Sequence, residues 1–206
     1  MLGINPATAY LLLTEFVQLK PGDWVLQNAA NSSVGRVVIA IAKARGLKTV
    51  NFVRRPDLVD EIKALGGDVV LVDGEDVPNR VAGVTDKAPI KIALDGVGDS
   101  ATQDFINSIA PFGTVMVWSA MSGKPFNIFG PPLLFRDQSI RGMWIYNWYK
   151  LLSPEKITEM YAEFIPLVIS GALSFPVAGQ FSFEQYRDAL EVAAKYRGKA
   201  ILTPRG

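Results

Sequence analysis

The residues best placed to do chemistry are a string of small and polar side chains, Gln27-Asn28-Ala29-Ala30-Asn31-Ser32-Ser33-Val34-Gly35, and an arginine pair, Arg54-Arg55, further on. On the spacing of a dinucleotide loop, glycines would stand at positions 30, 32 and 35, and the chain has Ala30, Ser32 and Gly35 there. Ala and Ser are still small enough for backbone to approach a pyrophosphate. Asn31, Ser32 and Ser33 add side-chain donors, and a helix from Val34 offers free N–H groups and the positive end of its dipole. A plain polar turn capping a helix fits the same string. Where a ribose with a free 2′-hydroxyl would meet Asp or Glu, the chain has Val53-Arg54-Arg55, with no acid before Asp57. Two guanidinium groups at that point suit a 2′-phosphate, which they can grip through several donors. The alternative is a solvated arginine pair at a strand end. The missing carboxylate also argues against an S-adenosylmethionine methyltransferase.

Composition narrows the chemistry further. The 206 residues contain no Cys and no His, so no disulfide, thiolate nucleophile or imidazole base is available. A structural zinc site loses its preferred ligands for the same reason. Lys and Arg number 21 against 20 Asp and Glu, which gives no basic surplus for nucleic acid or an anionic membrane. At 49% hydrophobic the chain can bury a real core. Met1 leads into Gly3-Ile4-Asn5-Pro6 without a basic segment or long apolar run, so no targeting leader and no membrane span is expected. The simplest expectation is a soluble intracellular protein.

The elements that must position these residues alternate along the chain. Asn5-Pro6 starts a short apolar helix to about Val17. Trp24–Gln27 reads as a strand, Val34–Arg45 as a helix stopped by Gly46, and Thr49–Val53 as a second strand, together a βαβ unit. A helix over 56–65, a strand over 69–72, a strand over 90–94, a helix over 101–109 and strands over 113–118 and 139–145 follow. Residues 73–89 form a polar stretch without a clear element, and 123–132 a loop rich in Pro, Gly and Phe. The strands are continuous apolar runs, as strands buried on both faces should be. The reading is α/β: a doubly wound parallel sheet of about six strands. The pattern then changes to a helix over 153–170, a strand over 177–181, a helix from Ser182 to about Ala194 and a short strand over 199–202. This tail reads as an appendage to a neighbouring domain.

With these residues in place the chain resembles the mitochondrial-type trans-2-enoyl-thioester reductases of the zinc-free branch of the medium-chain dehydrogenase/reductase superfamily. The resemblance is carried by Asn5-Pro6-Ala7-Thr8-Ala9-Tyr10, by Pro21-Gly22-Asp23-Trp24 running into the Gln27–Gly35 string, and by Val53-Arg54-Arg55-Pro56-Asp57. Gly113-Thr114, Met121, Arg141-Gly142-Met143-Trp144 and the closing Gly198-Lys199-Ala200-Ile201-Leu202 add to it. It covers essentially the whole chain. It implies a Rossmann-type NADPH-binding domain over 1–150. Residues 151–206 would be a tail belonging partly to a GroES-like substrate domain that this chain lacks. It implies NADPH-dependent reduction of the 2,3 double bond of an enoyl thioester on coenzyme A or acyl carrier protein. By residue matching, Asn31, Ser32, Ser33 and Val34, with Gly35, would hold the pyrophosphate, and Arg54 and Arg55 the 2′-phosphate. Trp118, Ser119, Ala120 and Met121 would flank the nicotinamide end with Met143, Trp144, Ile145 and Tyr146, and Lys199 would reach the cofactor from the tail. The family usually has one more residue between the two arginines, and Ser119-Ala120 stands where it tends to have two glycines. The family's proton-donor tyrosine would lie outside this chain, so no catalytic residue is assigned. No metal is implied.

Other features carry less. Tyr146, Tyr149 and Lys150 look like a Tyr-Lys pair, but packing is the commoner role after the last sheet strand. Asp95 stands where it could touch a ribose or cap a loop. Phe126, Ile128, Phe129, Leu133, Leu134 and Phe135 could line an acyl pocket or an interface. An exposed apolar face on the tail would favour self-association, so a homodimer is expected. The rival readings are an NADPH-dependent quinone reductase of the same superfamily and a non-catalytic NADPH-binding module. The resemblance puts the protein in the cytoplasm of a bacterium or the mitochondrial matrix of a eukaryote.

Overall fold

A computed structural model describes residues 3–195 and 198–204. The elements run α1 (Asn5–Thr14), β1 (Trp24–Gln27), α2 (Ser33–Ala44), β2 (Lys48–Val53), α3 (Val59–Ala64), β3 (Val69–Val72), α4 (Val77–Val84) and β4 (Ile92–Asp95). Next come α5 (Ser100–Ser108), β5 (Thr114–Val117), α6 (Pro131–Phe135), β6 (Ser139–Gly142), α7 (Ile145–Tyr149) and α8 (Pro154–Ile169). The chain closes with β7 (Val177–Ser182), α9 (Tyr186–Lys195) and β8 (Lys199–Thr203). It divides into two compact units, residues 1–167 and 168–206.

In the first unit six parallel strands lie in the order β3-β2-β1-β4-β5-β6. The order reverses between β1 and β4, which opens a crevice beyond their C-terminal ends. Strand alternation sends Leu26, Val50 and Phe52 to a core on one face of the sheet, where Val81 of α4 and Phe105 and Ile106 of α5 meet them. Ile39, Val53, Leu58, Ile62 and Val70 pack on the other. Both faces are covered, so the strands read as unbroken apolar runs. Helix α1 is buried along nearly its whole length and packs on α2. Helix α8 is tied to the same layer by Arg45, whose Nε and Nη2 donate to the two oxygens of Glu163 at 2.6 Å each. Most of α8 accordingly lies in the first unit.

Three stretches differ from the sequence reading. Residues 73–89 contain α4, hidden in the sequence by Pro78 and Gly83; proline is tolerated there because it sits in the first turn. Strand β6 stops at Gly142 instead of 145 because its partner β5 runs out at Val117. The chain then turns into the short α7. The proline- and phenylalanine-rich loop contains the start of α6. In the second unit β7 and β8 form a parallel pair linked through α9, with a bulge between Val177 and Gly179.

Candidate functional site

The string after β1 builds a loop and a helix start. Ala29 adopts a left-handed backbone (φ 48°), which makes the sharp turn out of the strand. Ser32 caps α2, its hydroxyl accepting from the Gly35 N–H at 3.0 Å. Gly35 is required for space. A Cβ there would lie 2.7 Å from Ala29 O, Ala30 Cα and Ala30 O. The close approach of α2 to the loop therefore depends on position 35, while Ala30 and Ser32 occupy positions that tolerate a small side chain. The buried Gln27 amide fixes the same contact from below, donating to the Gly35 carbonyl (3.1 Å) and to Asn51 Oδ1 (2.7 Å). The Arg36 side chain, with 9% of its surface exposed, holds the loop from the helix side: Nε donates to the Asn31 carbonyl and Nη2 pairs with Glu61.

Across the crevice, Asn28 and Asp95 lock the ends of β1 and β4 together. Asn28 Nδ2 donates to Asp95 Oδ1 (2.7 Å), and Asn28 Oδ1 accepts from the Gly96 N–H (2.7 Å). Asp95 Oδ1 also accepts from the Val97 and Gly98 N–H groups, and Oδ2 accepts from the Thr102 hydroxyl. Asp95 is fully buried with both oxygens engaged, so of its two readings the loop cap is the one observed. The loop after β5 is stapled beside it: Met121 and Ser122 N–H donate to the Gly96 and Val97 carbonyls, and the Trp118 indole leaves no room for a side chain at Gly96.

These loops enclose a cavity of about 360 Å³ at the strand ends. Ala29, Asn31, Ser32, Arg54, Asp73, Val97, Met121, Ser122 and Lys124 line it. A second cavity of about 240 Å³ shares Asp73 and Val97, has Phe52 and Phe105 in its wall, and is bordered by Asn28, Asp99 and Asp104. Loss of water raises the Asp73 carboxyl above its ordinary pKa, with Arg54 and Arg80 pulling it back down. Asp104 is raised by burial alone.

The structure thus brings Asn31, Ser32, Arg54 and Met121 to one cavity, with Ser33, Val34 and Gly35 forming the first turn of α2 beside it. Arg55 does not line it; its Nε lies 3.8 Å from Asp57 and its side chain is 56% exposed. Trp118, Ser119 and Ala120 belong to the stapled loop. Met143 is buried, its N–H on the Val117 carbonyl, and Ile145 is buried two residues on. Trp144 and Tyr146 are exposed and meet edge to face at 5.3 Å. None of the residues 143–146 lines either cavity. Lys199 opens β8 in the second unit. Sequence reasoning took Asn28 only as part of the polar string and assigned no role to Asp73, Val97, Ser122 and Lys124. The first three follow strands closely and could have been found from the rule that ligands sit at strand C-termini. Ser122 and Lys124 depend on how the β5 loop folds back. Tyr149 donates to the Gly3 carbonyl, a packing role. Among the described residues no helix is long and apolar enough to cross a membrane.

The comparisons agree with this architecture. Residues 33–167 match the zinc-binding dehydrogenase family. The mitochondrial enoyl-[acyl-carrier-protein] reductase of Rattus norvegicus is 38% identical over 199 residues, covering 94% of this chain and 53% of that protein. The chain thus spans about half the length of the curated relatives it matches. The mitochondrial 2-enoyl thioester reductase heterodimer of Candida tropicalis superposes with a TM-score of 0.87 at 23% identity, over 98% of this chain and 60% of that one, a likeness of fold. A quinone oxidoreductase of Pseudomonas syringae gives 0.80 at 28% identity, over 96% and 62%. The family's name implies zinc, and the donor set does not fit it. The sequence has neither Cys nor His, and no group of three or more acidic side chains gathers among the described residues. The sheet order, the loop at the head of α2 and the matched span together place this chain in the zinc-binding dehydrogenase family, as a cofactor-binding part of the medium-chain dehydrogenase/reductase superfamily.

Proposed function

We propose that this chain is the NADPH-binding part of a reductase that saturates the 2,3 double bond of trans-2-enoyl thioesters. The observation that carries the reading is the cavity at the β1/β4 switch point, where the head of α2 meets Arg54 and no acid stands at the end of β2. Asn31, Ser32 and the first-turn N–H groups of α2 would hold the pyrophosphate, and Arg54 the 2′-phosphate. The cavity walled by Phe52 and Phe105 would take the base, and Met121 would face the nicotinamide end. Bound NADPH supplies the hydride that the β-carbon of the enoyl thioester receives. The residues of this chain orient it and exclude water, through loops fixed by Asn28, Asp95 and Arg36. Names of the curated relatives support the thioester over the quinone.

A homodimer belongs to the same proposal. Strand β6 is a sheet edge with all four residues exposed, and two antiparallel copies would continue the sheet. Phe129, Leu134 and Phe135 stand exposed nearby in the chain. In a eukaryotic host the reading carries the mitochondrial location named for the relatives, and in a bacterium the cytoplasm.

Fluorescence titration of NADPH and NADH into the purified chain tests the cofactor reading. Preference for NADPH that Arg54→Ala abolishes is the expected result; no preference, or one that survives the substitution, refutes it. Turnover with a crotonyl thioester and not with a quinone would separate the two enzymatic readings.

A further inference from the structure

A 2′-phosphate carries close to two charges and is gripped best by more than one cation. The sequence offers the adjacent pair Arg54 and Arg55, but only Arg54 lines the cavity. Arg55 precedes the short helical turn at 56–58 and points its guanidinium toward Asp57. The other cation on the cavity wall is Lys124, from the loop after β5. Its Nζ lies 3.1 Å from Asp99 Oδ2, and its side chain is 68% exposed, so it can swing at little cost. Asp99 borders the cavity walled by Phe52 and Phe105, which sets Lys124 on the side of the cleft assigned to the base and its ribose. Asp99 itself sits in an uncommon backbone conformation (φ 63°, ψ −140°), held there at the head of α5. The loop carrying Lys124 is anchored on Gly96 and Val97 and by Phe126, whose ring packs against Gly98.

We propose that Lys124, and not Arg55, is the second cation of the 2′-phosphate subsite, and that it leaves Asp99 for the phosphate when NADPH binds. The inference rests on the NADPH reading above. The carboxylate of Asp99 competes with the phosphate for the ammonium group, so this pair sets NADPH affinity without touching the groups that NADPH and NADH share.

The test uses the full chain, with NADPH and NADH titrated into wild type, Lys124→Met, Arg55→Ala and Asp99→Asn. Removing one charge-assisted hydrogen bond should weaken NADPH about ten- to a hundredfold in Lys124→Met, with NADH changed by no more than about twofold. Arg55→Ala should leave both cofactors within about twofold of wild type, since an exposed pair contributes little. Asp99→Asn keeps a side chain that tolerates positive φ and should tighten NADPH several-fold. Equal weakening of both cofactors by Lys124→Met would move the lysine to the pyrophosphate or the fold and overturn the proposal. So would a weakening in Arg55→Ala as large as that in Lys124→Met. A wild type that prefers NADPH and a Lys124→Met protein that binds it unchanged would sink this inference alone; a wild type with no preference would sink it together with the reading beneath it.

Discussion

Replacing Gly35 by Ala should destabilise the protein, while the same replacement at Gly83 should stabilise it. The two glycines sit in helices, α2 and α4, and neither has positive φ. At Gly83 an added Cβ meets nothing within 4 Å, so the helix gains the Ala preference, about 0.5–1 kcal/mol. At Gly35 the Cβ would lie 2.7 Å from three backbone atoms, well inside the 3.4 Å at which ordinary contact begins. Backbone cannot rotate aside as a side chain does. The obstructing loop is held by Ala30 N–H on the Phe52 carbonyl and Ser32 N–H on the Ala29 carbonyl. Gln27 holds the Gly35 carbonyl from the sheet. Forcing a methyl into such packing costs about 1–3 kcal/mol, against which the helix preference offsets up to about 1 kcal/mol. Because the obstructing atoms are backbone, the cost falls in the upper part of that range, and the net expectation is a loss of about 1–2 kcal/mol, or a Tm lower by about 2–8 °C, with Gly83→Ala moving about 1–4 °C the other way. Thermal and urea unfolding of the two variants beside wild type measure it. The displaced loop carries Asn31 and Ser32, so NADPH affinity should fall by more than about tenfold in Gly35→Ala and stay level in Gly83→Ala. A Gly35→Ala protein that melts at or above wild type would refute the packing argument.

Asp95 separates capping from cofactor contact. Asp95→Asn can keep the acceptor for Asn28, Val97 and Gly98 and turn its amide toward the Thr102 hydroxyl, so it should cost about 1–2 kcal/mol, whereas Asp95→Ala strands four donors and should cost at least about 3 kcal/mol. A ribose ligand would instead lose NADPH affinity in Asp95→Asn with stability intact. Burial, then the neighbouring Tyr161, raises the Tyr149 hydroxyl to about 12 from 10.0. A raised pKa favours the neutral form in the fold, so its stabilisation is complete below pH 10 and is lost as pH rises from 10 towards 12. Tyr149→Phe should flatten that part of the stability–pH curve and, by losing the bond to the Gly3 carbonyl, cost about 1 kcal/mol at neutral pH. An unchanged alkaline limb in urea titrations would contradict the assignment.

The sheet was legible in the residues because burial on both faces demands continuous apolar runs. Strands β1 and β3 fall on the positions read from the sequence, and the parallel doubly wound order follows from strands alternating with helices. Helix α4 was not legible, because Pro78 and Gly83 are breaker signals whose neutrality depends on where in the helix they fall. The end of β6 was not legible either, since it is set by the length of β5.

For the site, sequence alone determined the residue types: small and polar at the head of α2, arginine where an acid would bind a ribose hydroxyl, and neither Cys nor His to hold a metal. Local chain geometry is enough for that, because a loop–helix junction is built from neighbours. Tertiary structure decided which charges share a cavity. Arg54 and Arg55 are adjacent in sequence, yet successive residues at a strand end diverge, so one lines the cleft and the other faces solvent. Lys124 stands far from Arg54 along the chain, and meets the same cavity because parallel strands deliver all their C-terminal loops to one edge of the sheet.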